Sequence, residues 1–217
     1  MKKKKTIIAA IILLLILIIG GAIAYFTDKD TATNTFTIGD VEIEVVESQW
    51  SKTDADNDEV PDAAQDRMPG QTVTKDPKIH NKSAANSAYV FMKVVSPCST
   101  GEVVDGNPTP VRELFTYTAN SGWYLMTPSN SCQGGSVTRI YAYGTETTMT
   151  ELAAEDANST NDDTTTLFNN VLVNPNLDGS EKGITGKLNM VITGYAIQKD
   201  GITATSPSQV WTTAQFS

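Results

Sequence analysis

The sequence predicts an all-β fold. Three observations carry this expectation. Short stretches alternate apolar and polar side chains, as in Val41-Glu42-Ile43-Glu44-Val45, which is the period of a strand with one dry and one wet face. Clusters of Gly, Pro, Asn and Asp separate these stretches at short intervals, as turns separate strands. No alternation of strand and helix patterns and no internal repeat is visible. Many short strands bounded by turns pack as a sandwich or a barrel.

The chain of 217 residues opens with four lysines, Lys2 to Lys5, then an apolar run from Ile7 to Ile19. Gly20-Gly21 breaks the run, and Ala22-Ile23-Ala24 places small residues where a signal peptidase pocket accepts them. This layout predicts an N-terminal signal helix, residues 1–24, removed on export by a signal peptidase that cuts between Ala24 and Tyr25. The rival is an uncleaved membrane anchor, because Ile7 to Ala24 reaches 18 residues. A type IV pilin would have a glycine before the apolar run and an acid just inside it, and neither is present. Either way the body lies outside the cytoplasmic membrane, with membrane contact only through residues 1–24.

Removing four lysines from the 16 basic residues leaves 12 against 25 acidic ones, a net charge of −13. Such a surface repels phosphate backbones, so nucleic acid is not an expected partner. The remaining 193 residues bury a core of useful size.

Tyr25 to Ile38 reads as a threonine-rich extended segment, with Phe26, Ala32, Phe36 and Ile38 on one face. It is either the first strand of its own domain or a strand lent to a neighbour. Gly39-Asp40 kinks the chain, and a strand is expected over 36–47, with Glu42, Glu44 and Glu47 on the wet side of its alternating part from Val41. Further strands are expected at 71–74, 87–95, 114–118, 122–126, 136–143, 168–173 and 186–198. In the last, Gly194 marks a bulge or a close contact. Short helices are expected at Thr148 to Asp156 and from Ser206, where Ser206-Pro207-Ser208-Gln209 has a capping-box pattern with Pro at the first helical position. The second helix sets Val210, Trp211 and Ala214 against the body. Residues 39–217 form a single domain.

Cys98 and Cys132 are the only cysteines. In an exported chain they form one disulfide; in a host without oxidative folding machinery they stay free. Asn81-Lys82-Ser83 and Asn158-Ser159-Thr160 fit the N-glycosylation pattern, which is common by chance. Asp54, Asp56, Asp58 and Asp62 stand at positions 1, 3, 5 and 9 of a stretch similar to a calcium loop. That spacing folds carboxylates around a hard cation, and Ca²⁺ is the one cofactor the sequence suggests. Glu59 replaces the usual turn glycine and Gln65 the terminal glutamate. The alternative is a solvated acidic loop.

The junction GGAIAYFTDKDTATNTFTIGDVEIEV resembles the secreted proteins processed by the SipW-type signal peptidase, the TasA/camelysin family. Met68-Pro69-Gly70 followed by Lys75-Asp76-Pro77-Lys78-Ile79-His80-Asn81 is similar to the family's PG…K-x-P-x-x-x-N segment. Ala88 to Val95, Thr166-Leu167-Phe168, Val171 and Tyr195 to Gln198 resemble later family strands. The resemblance implies a jelly-roll-like antiparallel β-sandwich with short helices in its connections. It also implies a biofilm-matrix fibre subunit whose partners are other copies of itself. Tyr25, Phe26, Ala32 and Phe36 would then lie on a donor strand that completes the next subunit, with Gly39 as the hinge.

The camelysin branch is classed with metallopeptidases. A zincin needs two histidines one helical turn apart with a glutamate between, and His80 is the only histidine. A Cys-His nucleophile pair would use cysteines better placed in a bridge, and no Gly-rich phosphate loop appears. The chain reads as a non-enzyme, a secreted structural protein without catalytic residues. The alternative is a monomeric secreted protein, camelysin-like protease or surface binding domain, with residues 25–38 folded on its own body.

Overall fold

A computed structural model describes residues 36–38, 41–50, 55, 62–64, 67–127, 131–155, 161–178, 180–181 and 189–216. All of them belong to one unit, Thr35–Ser217. The strands are β1 (Phe36–Ile38), β2 (Ile43–Glu47), β3 (Thr72–Thr74), β4 (Pro77–Asn81), β5 (Ala88–Pro97), β6 (Val103–Val104), β7 (Asn107–Pro108), β8 (Phe115–Thr116), β9 (Trp123–Leu125), β10 (Ser136–Tyr143), β11 (Asn170–Val173) and β12 (Val191–Gln198). Helix α1 spans Pro207–Ala214, and Asp62–Ala64 forms a single 3-10 turn. The fold is all-β and sandwich-like, as the alternating pattern predicts.

One layer is a five-stranded sheet in the order β1-β12-β5-β10-β9. The second layer consists of β3-β11-β8 and the pair β2-β4. Pairing is antiparallel except for β1, which runs parallel to β12 with Phe36 opposite Tyr195 and Ile38 opposite Ile197. The single strand expected over 36–47 is instead two strands of different sheets, because β2 pairs with β4 and not with the five-stranded sheet; Gly39 and Asp40, where a kink is expected, lie outside the described residues.

Strand β5 is buried on both faces, which a strand clothed by two different layers requires. Ala88, Val90, Met92 and Val94 point into the main core with Val41, Ile43, Ile79, Leu152, Leu167 and Phe168. Tyr89 and Phe91 point the other way, into a second cluster with Tyr195, Ile197, Val210 and Ala214. Helix α1 closes that outer face. Trp211 meets Phe91 and Tyr195 edge-on at 5.1 and 5.4 Å between ring centroids. Its N-terminus begins at Ser206 with Pro207 in the first turn, but the Ser206 hydroxyl donates to Gln209 Oε1 at 2.9 Å and does not cap a backbone N–H.

The helix expected at Thr148 to Asp156 is absent. Met149 and Leu152 would share a helical face, yet each enters a different cluster. The Met149 N–H donates to Thr205 O, and Ala88 and Leu152 exchange both backbone hydrogen bonds. Pairing of Leu152 to β5 and of Met149 to Thr205 satisfies these groups and overrides local helix propensity. Glu47 also departs from its expected wet face: it is half-buried and paired to Lys75 at 2.7 Å. The β6-β7 hairpin was not anticipated, although Asp105-Gly106 announces it. Both residues have positive φ, 51° and 80°, as a two-residue type I′ turn demands.

Cys98 and Cys132 are joined in a disulfide with Cα atoms 5.9 Å apart. The bond sits where β5 ends and β10 begins, beside the Pro97–Ser136 register pair. It closes a segment 34 residues long in sequence separation. A second tie spans the same region: Arg139 grips Glu113 with two hydrogen bonds of 2.6 and 2.8 Å. The Arg139 guanidinium also lies 5.7 Å from the Tyr117 ring. Burial pushes the Tyr117 hydroxyl far above its usual range, with Tyr141 beside it adding to the rise.

The layers come into close contact at Gly194. A Cβ there would stand 2.9 Å from Val45 Cγ2 and 3.2 Å from Ile43 Cδ1. This is the close-contact reading of Gly194, and it fixes how near β2 can lie to β12. Gly194→Ala should therefore cost about 1–3 kcal/mol by overpacking. Urea denaturation would register this as a lower midpoint, and an unchanged midpoint would show that β2 yields without strain. Replacing Cys98 and Cys132 together by serine should cost roughly 3–4 kcal/mol on the loop-entropy model, read in the same titration.

Candidate functional site

The segment resembling PG…K-x-P-x-x-x-N folds into the edge of the second layer. Gly70 takes a positive φ of 83° in the turn before β3, a conformation glycine adopts without strain. Lys75 pairs with Glu47 and lies over the Trp50 ring, 4.5 Å from its centroid, a cation-π geometry. Pro77 opens β4. Asn81 ends it, fully buried. Its Nδ2 donates to Asn86 O and Ala153 O at 3.0 and 2.7 Å, and its Oδ1 accepts the Ser83 N–H. The motif's lysine therefore ties side chains together and its asparagine ties backbone. The Asn81-Lys82-Ser83 glycosylation pattern is closed by the same burial, and Asn158 lies outside the described residues.

Alternation along β4 buries Pro77, Ile79 and Asn81 and turns Lys78 and His80 outward. Residues 162–164 run beside this strand: the Asn81 N–H donates to Asp162 O and the Thr164 N–H to Ile79 O. His80 and Asp163 become a bridge pair, and their side chains meet. His80 Nδ1 lies 3.1 Å from Asp163 Oδ1. Lys78 Nζ lies 2.5 Å from Asp163 Oδ2. Glu155 Oε1 approaches His80 Nε2 at 3.8 Å. One ligand-capable atom from each of His80, Asp162 and Asp163 falls within 4.8 Å of the others. Sequence reasoning weighed His80 alone. Asp162 and Asp163 lie more than eighty positions away in an acidic, threonine-rich loop, where no local spacing flags them.

This cluster must be weighed as a zinc centre. Catalytic zinc sites draw on three protein ligands, commonly two or more of them imidazoles, and leave one position open. The chain has a single histidine. Both oxygens of Asp163 are engaged, one by the imidazole and one by the Lys78 ammonium. One imidazole and two carboxylates, one of them held by a lysine, do not fit a peptidase zinc centre.

The other expected site residues fall as follows. Phe36 opens β1, paired to β12 of its own chain. Asp62 begins the 3-10 turn, and its Oδ1 accepts the Ala55 N–H at 3.0 Å. That bond brings position 55 of the acidic stretch to the carboxylate expected to close it. Ala22, Ala24, Tyr25, Phe26, Ala32, Gly39, Asp54, Asp56 and Asp58 lie outside the described residues. Among the described residues no helix is long and apolar enough to cross a membrane.

The buried amide makes a sharp expectation. Asn81→Asp places a carboxylate against backbone carbonyls and should lower stability by about 3 kcal/mol, with Asn81→Ala less damaging. Thermal melting of the two variants would rank them; equal melting temperatures to the parent would remove Asn81 as a structural hub. Comparison with known proteins matches residues 1–98 to the camelysin metallo-endopeptidase family. No curated protein and no solved structure is matched.

Proposed function

We propose, from the camelysin-family sequence carried by residues 1–98, that this is an exported structural protein whose copies assemble into extracellular fibres by strand addition. What supports the reading is the edge of β12. The strand is eight residues long, and among the described residues β1 pairs with Tyr195 to Ile197. Continuing that parallel register backwards would set Thr35 opposite Gly194 and Ala32 opposite Val191. Ala32 to Phe36 therefore has an edge to run along, and Val191 on that edge is 45 % exposed. Backbone hydrogen bonds would supply affinity and the two phenylalanines register.

The same edge serves in cis or in trans. In an isolated chain β1 returns to its own β12; in a fibre the equivalent strand would come from the next copy, pivoting at Gly39. Such an exchange is heterologous and open-ended, so it propagates. The cis pairing also suits a monomeric surface domain, which is the second reading. The protease reading draws on the family's name, and the donor set around His80 does not support it.

Deleting Tyr25 to Asn34 should leave a folded monomer that no longer forms filaments, and Phe26→Asp should act in the same direction. Electron microscopy of parent and variants is the test. A deletion variant that still polymerises like the parent sinks the donor strand; a parent that never forms filaments leaves the monomeric reading. Intact mass of the exported protein should begin at Tyr25, and retention of Lys2 to Lys5 in a membrane fraction would support the anchor.

Calcium at Asp54, Asp56, Asp58 and Asp62 is part of the same proposal, as a stiffener of an extracellular loop. The Ala55–Asp62 hydrogen bond supports it by bringing Asp62 to the backbone of Ala55, seven positions earlier in the stretch. Calorimetry should show binding that Asp56→Ala and Asp58→Ala weaken; no heat at millimolar calcium would remove the site.

A further inference from the structure

We infer that Lys78 is the built-in cation of the His80 cluster, and that its ammonium keeps a latent divalent-metal site closed. The observations are geometric. Lys78 and His80 project from the same side of β4, one residue apart. Asp163 sits across from them and divides its two oxygens between the Lys78 ammonium at 2.5 Å and His80 Nδ1 at 3.1 Å. Asp162 and Asp163 bring carboxylate oxygens to within 4.8 Å of the imidazole. An imidazole and two carboxylates at this spacing are ligands that zinc or cobalt accepts in a small inward shift. One feature opposes a metal there: a fixed positive charge that neutralises Asp163 and repels an arriving dication.

The cluster's task is then mechanical. Lys78, His80 and Asp163 tie residues 161–164 to the edge of β4, alongside the backbone bonds at Ile79, Asn81 and Thr164. Glu155 approaches the second imidazole nitrogen from the far side of the loop. A side-chain ammonium holds the tie without depending on metal supply. The metal-dependent chemistry in the family's name accordingly has no open centre at this cluster.

The test is a titration of the purified protein with zinc chloride, followed by calorimetry and thermal melting, with cobalt(II) absorption as a report on ligand geometry. The parent should show weak binding or none. Lys78→Gln should melt lower without metal, bind zinc about tenfold more tightly than the parent, and recover stability when zinc is added. Lys78→Arg retains the charge and should behave as the parent. Adding His80→Ala to Lys78→Gln should abolish the gain. A parent that binds one zinc per chain as tightly as Lys78→Gln overturns the inference, and so does a Lys78→Gln variant that gains nothing. Should Lys78→Gln fail to fold, the parent and Lys78→Arg still decide: tight binding of one zinc per chain in either, lost with His80→Ala, refutes the closed site, and its absence in both upholds it.

Discussion

The two-sided burial of β5 is the constraint from which the rest of the sandwich follows. A strand paired on both edges and covered on both faces has no freedom of register: a one-residue slip would carry Val90, Met92 and Val94 out of the main core and put Tyr89 and Phe91 in their place. With β5 fixed, β12 and β10 are fixed by their ladders. The second layer is then set by Gly194, whose missing side chain leaves room for Ile43 and Val45. Helix α1 is needed because the outward aromatic residues of β5 and β12 would otherwise face water.

Much of this architecture was legible in the sequence, where the physics is local. Alternation located β2, β5, β10 and β12, and the serine-proline pair located α1. The failures have a common cause, which is that distant partners decided the outcome. Thr148 to Asp156 carries helix-forming residues, yet Ala88 offers backbone groups that a strand can reach and a helix cannot. β4 begins with a proline and holds alternating polar residues, so its pattern reads as a loop until β2 and residues 162–164 are seen on either side. The candidate cluster was least visible of all. His80 was noticed as a solitary histidine, but its partners come from a loop whose sequence announces only solubility.

The same comparison bears on the segment that carries the family resemblance. Lys75, Pro77 and Asn81 are spaced as a signature, and a signature invites a catalytic reading. Their surroundings point elsewhere. Lys75 sits between a carboxylate and an indole, and Asn81 stitches three backbone segments together. Both residues flank a strand whose backbone is already bonded to β2 on one edge and to residues 162–167 on the other.

The Cys98–Cys132 bond has a consequence for survival of the folded chain among proteases. The segment it encloses holds the exposed β6-β7 hairpin, where Val103 is 72 % accessible and the Asp105-Gly106 turn offers an exposed tip of the kind proteases nick first. A cut there would not release either piece. The disulfide would hold the two new ends together, and β5 and β10 would stay paired beside it. One severed peptide bond at the most accessible hairpin is thereby converted from the start of unravelling into a scar that the sandwich carries.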